Sequence, residues 1–232
     1  MAYQFDWGLV VSGEYGVMLV EGLVTTLKIS ALSIVLSLGM GTLICVMRLT
    51  KVKALEWLSA SYTEFFRNTP LLVQIFFWYF GSAAVLPVAW NKWLYAQDFE
   101  FAAGVISLTV YTSAFIAEDL RSGIFAIPKT QLEASRACGL SFLQAMGYVI
   151  LPQAFRIIIP PLISQFLNLI KNSSLVMTIG VMDLTYMARQ IESQTFHGFE
   201  AFTAATLIYL SISLLVSAAI QIYNVRVLRL GR

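Results

Sequence analysis

The chain has 232 residues, of which 58% are hydrophobic and only 12% charged, and its mean hydropathy is +0.75. Soluble domains carry roughly 25% charged residues, so a water-soluble fold is excluded and an integral membrane protein is implied. The net charge of +2 says little by itself; where the charges sit says more. Cys45 lies in an apolar run and Cys138 far from it, which gives no disulfide framework and no metal-ligand cluster. The N-terminal MAYQFDWGLV lacks a basic region and a small-residue cleavage site. No removable signal peptide is expected, and the first apolar run serves as an anchor.

A charge at the bilayer centre costs about 2.5–3.5 kcal/mol on insertion scales, so long charge-free gaps mark the spans. The gap from Lys28 to Arg48 predicts a first span over 17–48. Arg67 to Lys92 predicts a second over 68–91, with Thr69 as its N-cap and Pro70 at its first position. Trp78, Tyr79, Trp90, Trp93 and Tyr95 crowd its far end like an interfacial aromatic belt. Glu100 to Glu118 predicts a third span over 101–121, with Glu118, Asp119 and Arg121 clustered at its exit. An intrahelical ion pair explains that cluster better than a proton relay. A fourth span over 153–182 contains Pro160, Pro161 and Lys171, and its freed carbonyls suit a central rather than a lipid-facing place. Glu200 to Arg226 predicts a fifth span over 201–225.

Basic residues collect on cytoplasmic loops. With five spans and an outside N-terminus, eleven of them face the cytoplasm: Arg48, Lys51, Lys53, Arg67, Arg121, Lys129, Arg136, Arg156, Arg226, Arg229 and Arg232. Only Lys92, Lys171 and Arg189 lie in the bilayer or beyond it, with Lys28 at the start of the first span. The expected fold class is therefore all-α, a polytopic membrane protein with one transmembrane domain over 1–232.

The stretch Glu133–Pro152 is charge-free for 19 residues between Arg136 and Arg156, long enough to cross a bilayer. Its local signals predict a folded cytoplasmic loop over 128–152 instead. Thr130 and Glu133 fit a capping box, Gly139 a left-handed helix stop, Ser141 and Gln144 a second capping box, and Pro152 a boundary. Such a segment is apolar because something packs on it.

Glu133-Ala134-Ser135, Gly139 and Val149-Ile150-Leu151-Pro152 resemble the cytoplasmic loop of the membrane subunits of ATP-binding-cassette importers, Glu-Ala-Ala-x3-Gly-x9-Ile-x-Leu-Pro. Ser135 replaces Ala and Val149 replaces Ile. The stretches Phe66–Gln74, Tyr111–Glu118 with Arg121 and Gly123, and Lys171–Leu175 narrow the resemblance to the polar amino-acid uptake permeases. It spans about Glu21 to Val225.

The resemblance implies five spans and a cytoplasmic coupling helix between spans three and four, at Gln131–Cys138, seated in a partner ATPase. The coupling residues it implies are Glu133, Ala134, Ser135, Arg136, Gly139, Leu151 and Pro152. It implies a transport subunit of a bacterial inner membrane, not an enzyme. The implied partners are a cytoplasmic ATPase dimer holding ATP and Mg, a second permease subunit identical or homologous, an external solute-binding protein, an amino-acid substrate and the bilayer. No nucleic acid is implied. No cofactor is expected on this chain, which has no G-x-x-x-x-G-K-[ST] phosphate cradle.

Glu133 either caps its own helix or pairs with the ATPase. Lys171, with Asn172, Ser173 and Ser174, either offers donors to a substrate carboxylate or neutralises a carboxylate from a neighbouring helix. His197 is expected to be a plain loop residue. Asp183, Arg189, Glu192 and Glu200 are candidates for meeting the binding protein. A membrane-embedded enzyme would need convergent catalytic groups at depth, which are lacking. An ion-coupled secondary transporter would show an inverted repeat, also lacking. The approach to span five, His197 to Thr203, is similar to the glutamate/aspartate subgroup; glutamine, histidine, arginine or cystine are the alternatives.

Overall fold

Asp6 starts the first helix, α1 (Trp7–Val11), by accepting from the Leu9 N–H. The computed structural model describes residues 5–50, 52–85, 87–96 and 98–223. Lys51, Arg226, Arg229 and Arg232 of the charge map lie outside the described residues, as do the side chains of Trp93 and Tyr95. No strand occurs among the described residues.

The first span is α2 (Gly13–Leu49), uninterrupted by proline over 37 residues. At roughly 1.5 Å of rise per residue it is about 55 Å long, well beyond a hydrocarbon core of about 30 Å. Gly22, Thr26, Ser30, Ser33, Ser37 and Gly41 are buried along it. Their spacing of three or four puts them on one face. In lipid, where burial of apolar surface drives little, such small residues let helix backbones approach closely.

The sequence reading missed α3 (Lys53–Arg67), which pairs with the lower part of α2. The Ser59 hydroxyl donates to the Ile44 carbonyl at 2.8 Å, and Tyr62 Oη donates to the Val110 carbonyl at 2.8 Å. The chain then breaks at Asn68–Pro70. Thr69 does not cap the next helix; its hydroxyl donates back to the Phe65 carbonyl at 3.0 Å. Gln74 bridges the break instead, its Nε2 donating to Phe66 O at 3.0 Å and to Thr69 Oγ1 at 2.7 Å. Because α3 runs on to Arg67, Thr69 lies within reach of that helix's last carbonyls, and they outcompete the capping role.

Beyond the break come α4 (Leu71–Val85) and α5 (Val88–Ala96). The single span expected over 68–91 is thus two helices. Pro87 starts the second of them, its carbonyl accepting from the Trp90 and Asn91 N–H groups at 2.9 and 3.1 Å. With 15 residues, α4 is about 22 Å long.

Asp98 caps α6 (Phe99–Phe125) by accepting from the Phe101 N–H at 3.0 Å. Next come α7 (Lys129–Ala137) and α8 (Phe142–Ala145). A π turn over Met146–Ile150 then leads directly into α9 (Leu151–Asn172), followed by a 3₁₀ helix over Ser173–Ile179. The chain closes with α10 (Leu184–Thr195) and α11 (Gly198–Tyr223).

The boundary expected at Pro152 is absent. The Leu151 N–H reaches back five residues to Met146 O, and Gln153 Nε2 donates to Val149 O at 2.7 Å. A widened turn and one side-chain amide supply bonds near a residue that has no N–H, so the helix runs on. Pro160 and Pro161 also lie inside α9.

Among the described residues, four helical runs are long and apolar enough to cross a membrane: Gly13–Leu49, Phe99–Phe125, Phe142–Ile179 and Gly198–Ala218. α6 lies at the centre. On one side Ile29, Ile75, Leu108 and Val176 form an apolar cluster; lower down Ile44, Ile116, Leu120, Ile150 and Ile158 form another. A third, with Leu19, Leu184, Ile191 and Ala205, holds α10 and α11 against α2. Within this single chain α9 buries Ala154, Ile158, Leu169 and Ile170 and leaves Phe155 and Ile157 uncovered.

Candidate functional site

The residues singled out by sequence fall into two places. The first is the α7–α8 corner. Helix α7 starts after Pro128 without a side-chain cap, so the Thr130–Glu133 capping box does not form. The proline's extended conformation, with ψ of 137°, places the first helical residue at Lys129. Glu133 then lies past the first turn, too late to cap. Glu133 is exposed, and its carboxylate makes no hydrogen bond or ion pair among the described residues.

The stop itself forms as expected. Gly139 adopts φ of +86°, its N–H bonds Arg136 O at 3.0 Å, and the Leu140 N–H bonds Ser135 O at 3.2 Å. These two bonds are the Schellman pair, which satisfies the last carbonyls of α7. Arg136 Nη1 also bonds Leu140 O at 3.1 Å. Ser135 is buried, its hydroxyl donating to Leu132 O at 2.7 Å. Ala134 and Arg136 are exposed.

The second capping box restarts the chain: Gln144 N–H donates to Ser141 Oγ at 3.3 Å and Ser141 N–H to Gln144 Oε1 at 2.8 Å. Phe142, Leu143 and Tyr148 beyond it are exposed, Leu143 by 81%. Leu151 and Pro152, expected to close this loop, instead belong to the continuous helix.

The second place is the seam between α6 and α9. There Tyr111, Thr112 and Phe115 face Gln165, Asn168, Leu169 and Asn172 across a cavity of about 240 Å³. Gln165 Nε2 donates to Asp119 Oδ2 on α6 at 2.9 Å. The hydroxyls of Tyr111 and Thr112 and the amides of Asn168 and Asn172 make no side-chain hydrogen bond to the described residues. Of these four, Thr112 is buried, Tyr111 and Asn172 are half-buried and Asn168 is exposed, so the wall offers hydrogen-bonding groups that a polar occupant can meet.

The charges nearby are engaged elsewhere. Arg67 sits over the Phe115 ring, 5.3 Å from its centroid. Glu118 pairs with Arg121 on α6, as the sequence reading expected of that cluster, with Arg121 Nε at 3.0 Å from Glu118 Oε2.

Of the four residues proposed from sequence, only Asn172 lines the cavity. Ser173 is fully buried, its hydroxyl donating to Ile170 O at 2.8 Å and 3.4 Å from that of Ser30 on α2. Ser174 donates to Lys171 O at 2.7 Å. Lys171 is exposed and makes no salt bridge among the described residues. Gln165 and Asn168 were missed, although the carboxamides at 165, 168 and 172 recur three and four apart along α9. That pattern puts them on one helix face and could have been read.

Two surface candidates prove internal. Glu200 is fully buried and accepts from the Asp6 N–H at 2.9 Å. His197 Nδ1 lies 3.1 Å from the same carboxylate oxygen, so it is a partner of Glu200 and not a plain loop residue. Asp183 is fully buried at the start of α10. It accepts from the Tyr186 N–H at 2.9 Å and from Tyr209 Oη at 3.0 Å. Burial pushes its carboxyl up to about 6. Among the described residues no group of three or more His, Cys, Asp and Glu could hold a metal.

Over residues 21–229 the chain matches the family of binding-protein-dependent transport system inner membrane components. It belongs to that family. Among relatives, the "Probable glutamine ABC transporter permease protein GlnM" of Bacillus subtilis is 42% identical over 204 residues, 88% of this chain and 90% of that one. The glutamate/aspartate import permease protein GltJ of Escherichia coli K12 is 32% identical over 224 residues, 92% of this chain and 91% of that one. A crystal structure of an amino acid ABC transporter with histidines superposes with a TM-score of 0.86 at 33% identity, covering 97% of this chain and all of that one. The methionine ABC transporter MetNI, in an inward-facing form, shares the fold at TM-score 0.72 and 20% identity, over 90% of this chain and 95% of that one. The all-α membrane fold read from composition and charge is the permease fold of this inner membrane family.

Proposed function

We propose that the chain is the permease subunit of an ATP-driven importer of polar L-amino acids, itself without catalytic activity. The observation that carries this reading is one continuous element. The helical run Phe142–Ile179 has the exposed α7–α8 corner at one end and the polar cavity further along it. A partner ATPase pressing on α7, with Glu133 and Arg136 at its surface, would move a rod whose other part walls the substrate path. Rigid-body motion of packed helices is how such a push travels.

The full topology we propose has five spans, with α4 and α5 forming the second, the N-terminus outside and the C-terminus in the cytoplasm. A second permease subunit, identical or homologous, would cover the open face of α9. ATP and Mg would be held by an ATPase dimer, and an external binding protein would deliver the amino acid. The names of the relatives support substrates of the glutamine and glutamate type. The similarity of His197–Thr203 to the glutamate/aspartate subgroup concerns residues that hold the N-terminal segment, not the cavity.

Uptake of labelled glutamine and glutamate into vesicles containing the whole complex tests the reading. It should require ATP and stop when the ATPase is inactivated; uptake that persists on an ion gradient alone would refute it. Lys171→Ala should impair uptake while the subunits still copurify. Normal uptake by that variant removes Lys171 from the path.

A further inference from the structure

Resting on the reading of the α6–α9 cavity as part of the amino-acid path, we infer that its walls select an uncharged carboxamide side chain, the class of glutamine and asparagine, over carboxylate or cationic ones. The lining holds Asn168, Asn172, Gln165, Tyr111 and Thr112 as its polar groups and Phe115 and Leu169 as its apolar ones, with no ionisable acid or base besides the tyrosine. At about 240 Å³ it is far larger than one water, which takes up about 30 Å³ of liquid.

A side-chain carboxylate placed here, beyond the α-carboxylate and α-ammonium that all these amino acids share, would be taken from water without a cation to meet it. Neither Lys171 nor Arg67 lines the cavity, and the Arg67 guanidinium sits over the Phe115 ring, 5.3 Å from its centroid. An ammonium or guanidinium would lack an anion. Asp119 does not line the cavity and is already met by one of the two Gln165 amide N–H donors. Burying an unpaired charge is disfavoured far more than burying a hydrogen-bonded amide.

A carboxamide asks for one acceptor site and two donor sites to be matched. The Asn168 and Asn172 amides each offer both, and the two hydroxyls can turn either way. Phe115 and Leu169 suit the methylene stem. A site that hydrogen-bonds an amide rejects the analogue that cannot return the bonds, because its own groups are then stranded.

The test uses the complex purified through a tag on this chain with its ATPase, the binding protein left out so that only the membrane cavity is read. Retention of labelled glutamine, asparagine, glutamate and arginine is measured by equilibrium dialysis. The expected result is at least a tenfold preference for glutamine or asparagine over the two charged amino acids. Asn168→Leu and Asn172→Leu should each lower glutamine retention at least tenfold, with ATPase copurification reporting assembly. Asn172→Asp should turn the preference toward arginine. A wild-type preference for glutamate or arginine overturns the inference but leaves the importer reading standing, as does glutamine retention unchanged in both leucine variants. Retention of none of the four removes the cavity as a binding site altogether, whereas ATP-independent uptake in the vesicle assay would sink the importer reading instead.

Discussion

Helix α6 has two seams, and they are built to opposite ends. Against α2 it meets a stripe of small residues, and the fit leaves no room: a Cβ added at Gly41 would lie 2.9 Å from the Ser113 carbonyl oxygen and 2.7 Å from Ile116 Cγ2. Against α9 it meets asparagines and a glutamine around open space. One seam fixes α6 to the first span; the other leaves polar groups around open space. A membrane helix can thus be a structural post on one side and, on the proposed reading, a wall of the path on the other, with the residue size at the seam deciding which.

Four substitutions break or sharpen this contrast, measured as thermal stability of the detergent-solubilised complex. Gly41→Val should do most. Its branches meet backbone oxygen, which cannot swing aside, so a loss of about 2–3 kcal/mol is expected. An unchanged melting midpoint would mean the α2–α6 seam is not closed.

Asp183→Asn addresses a third kind of seam, where a buried charge is partnered by α10 and α11 without a cavity. Its carboxyl is raised from 3.8 to about 6 by burial. The folded state therefore holds that proton more tightly than the unfolded one. The stability this contributes is full below pH 3.8 and is lost as pH rises through about 6, on the order of 2–3 kcal/mol in all. Asp183→Asn should flatten the melting profile between about pH 4 and 6 and raise stability at pH 8; a profile as steep as wild type across that window argues that another group titrates.

Gln165→Leu comes next. It strips the donor from a half-buried carboxylate, Asp119, at an expected cost of about 1 kcal/mol. Asn168→Leu should change stability least, within about 0.5 kcal/mol, because its exposed amide has no partner among the described residues to lose. A large destabilisation there would mean the permissive seam is after all a packed one.

Much of this was legible beforehand. Gaps between charges located α2, α6, α9 and α11, since ionisable residues tolerate the hydrocarbon core so poorly. Gly139 and the Ser141–Gln144 box were readable because both signals act within four residues. The failures share a cause. Thr69, Thr130 and Pro152 all carry correct local signals, but the outcome depended on neighbours: the last carbonyls of α3, the extended Pro128, and the Gln153 amide. Helix α3 was missed because Glu56, Glu64 and Arg67 make it look like a loop, while Ser59, Tyr62 and Thr63 pack inward. The cavity carries no charge to mark it: Lys171 is the conspicuous ionisable residue of that run, whereas the polar lining is made of uncharged amides and hydroxyls.

The π turn at Met146–Ile150 sets an address. It amounts to one residue more than an α-helix would use, and one residue is about 100° of helical rotation. Had the chain run as plain α-helix from Phe142 onward, every side chain beyond it would face a different neighbour. Asn168 and Asn172 would then turn away from Tyr111, Thr112 and Phe115. The polar lining of the cavity is thus aimed from a distance, by an irregularity that lies next to the corner where a partner is expected to push.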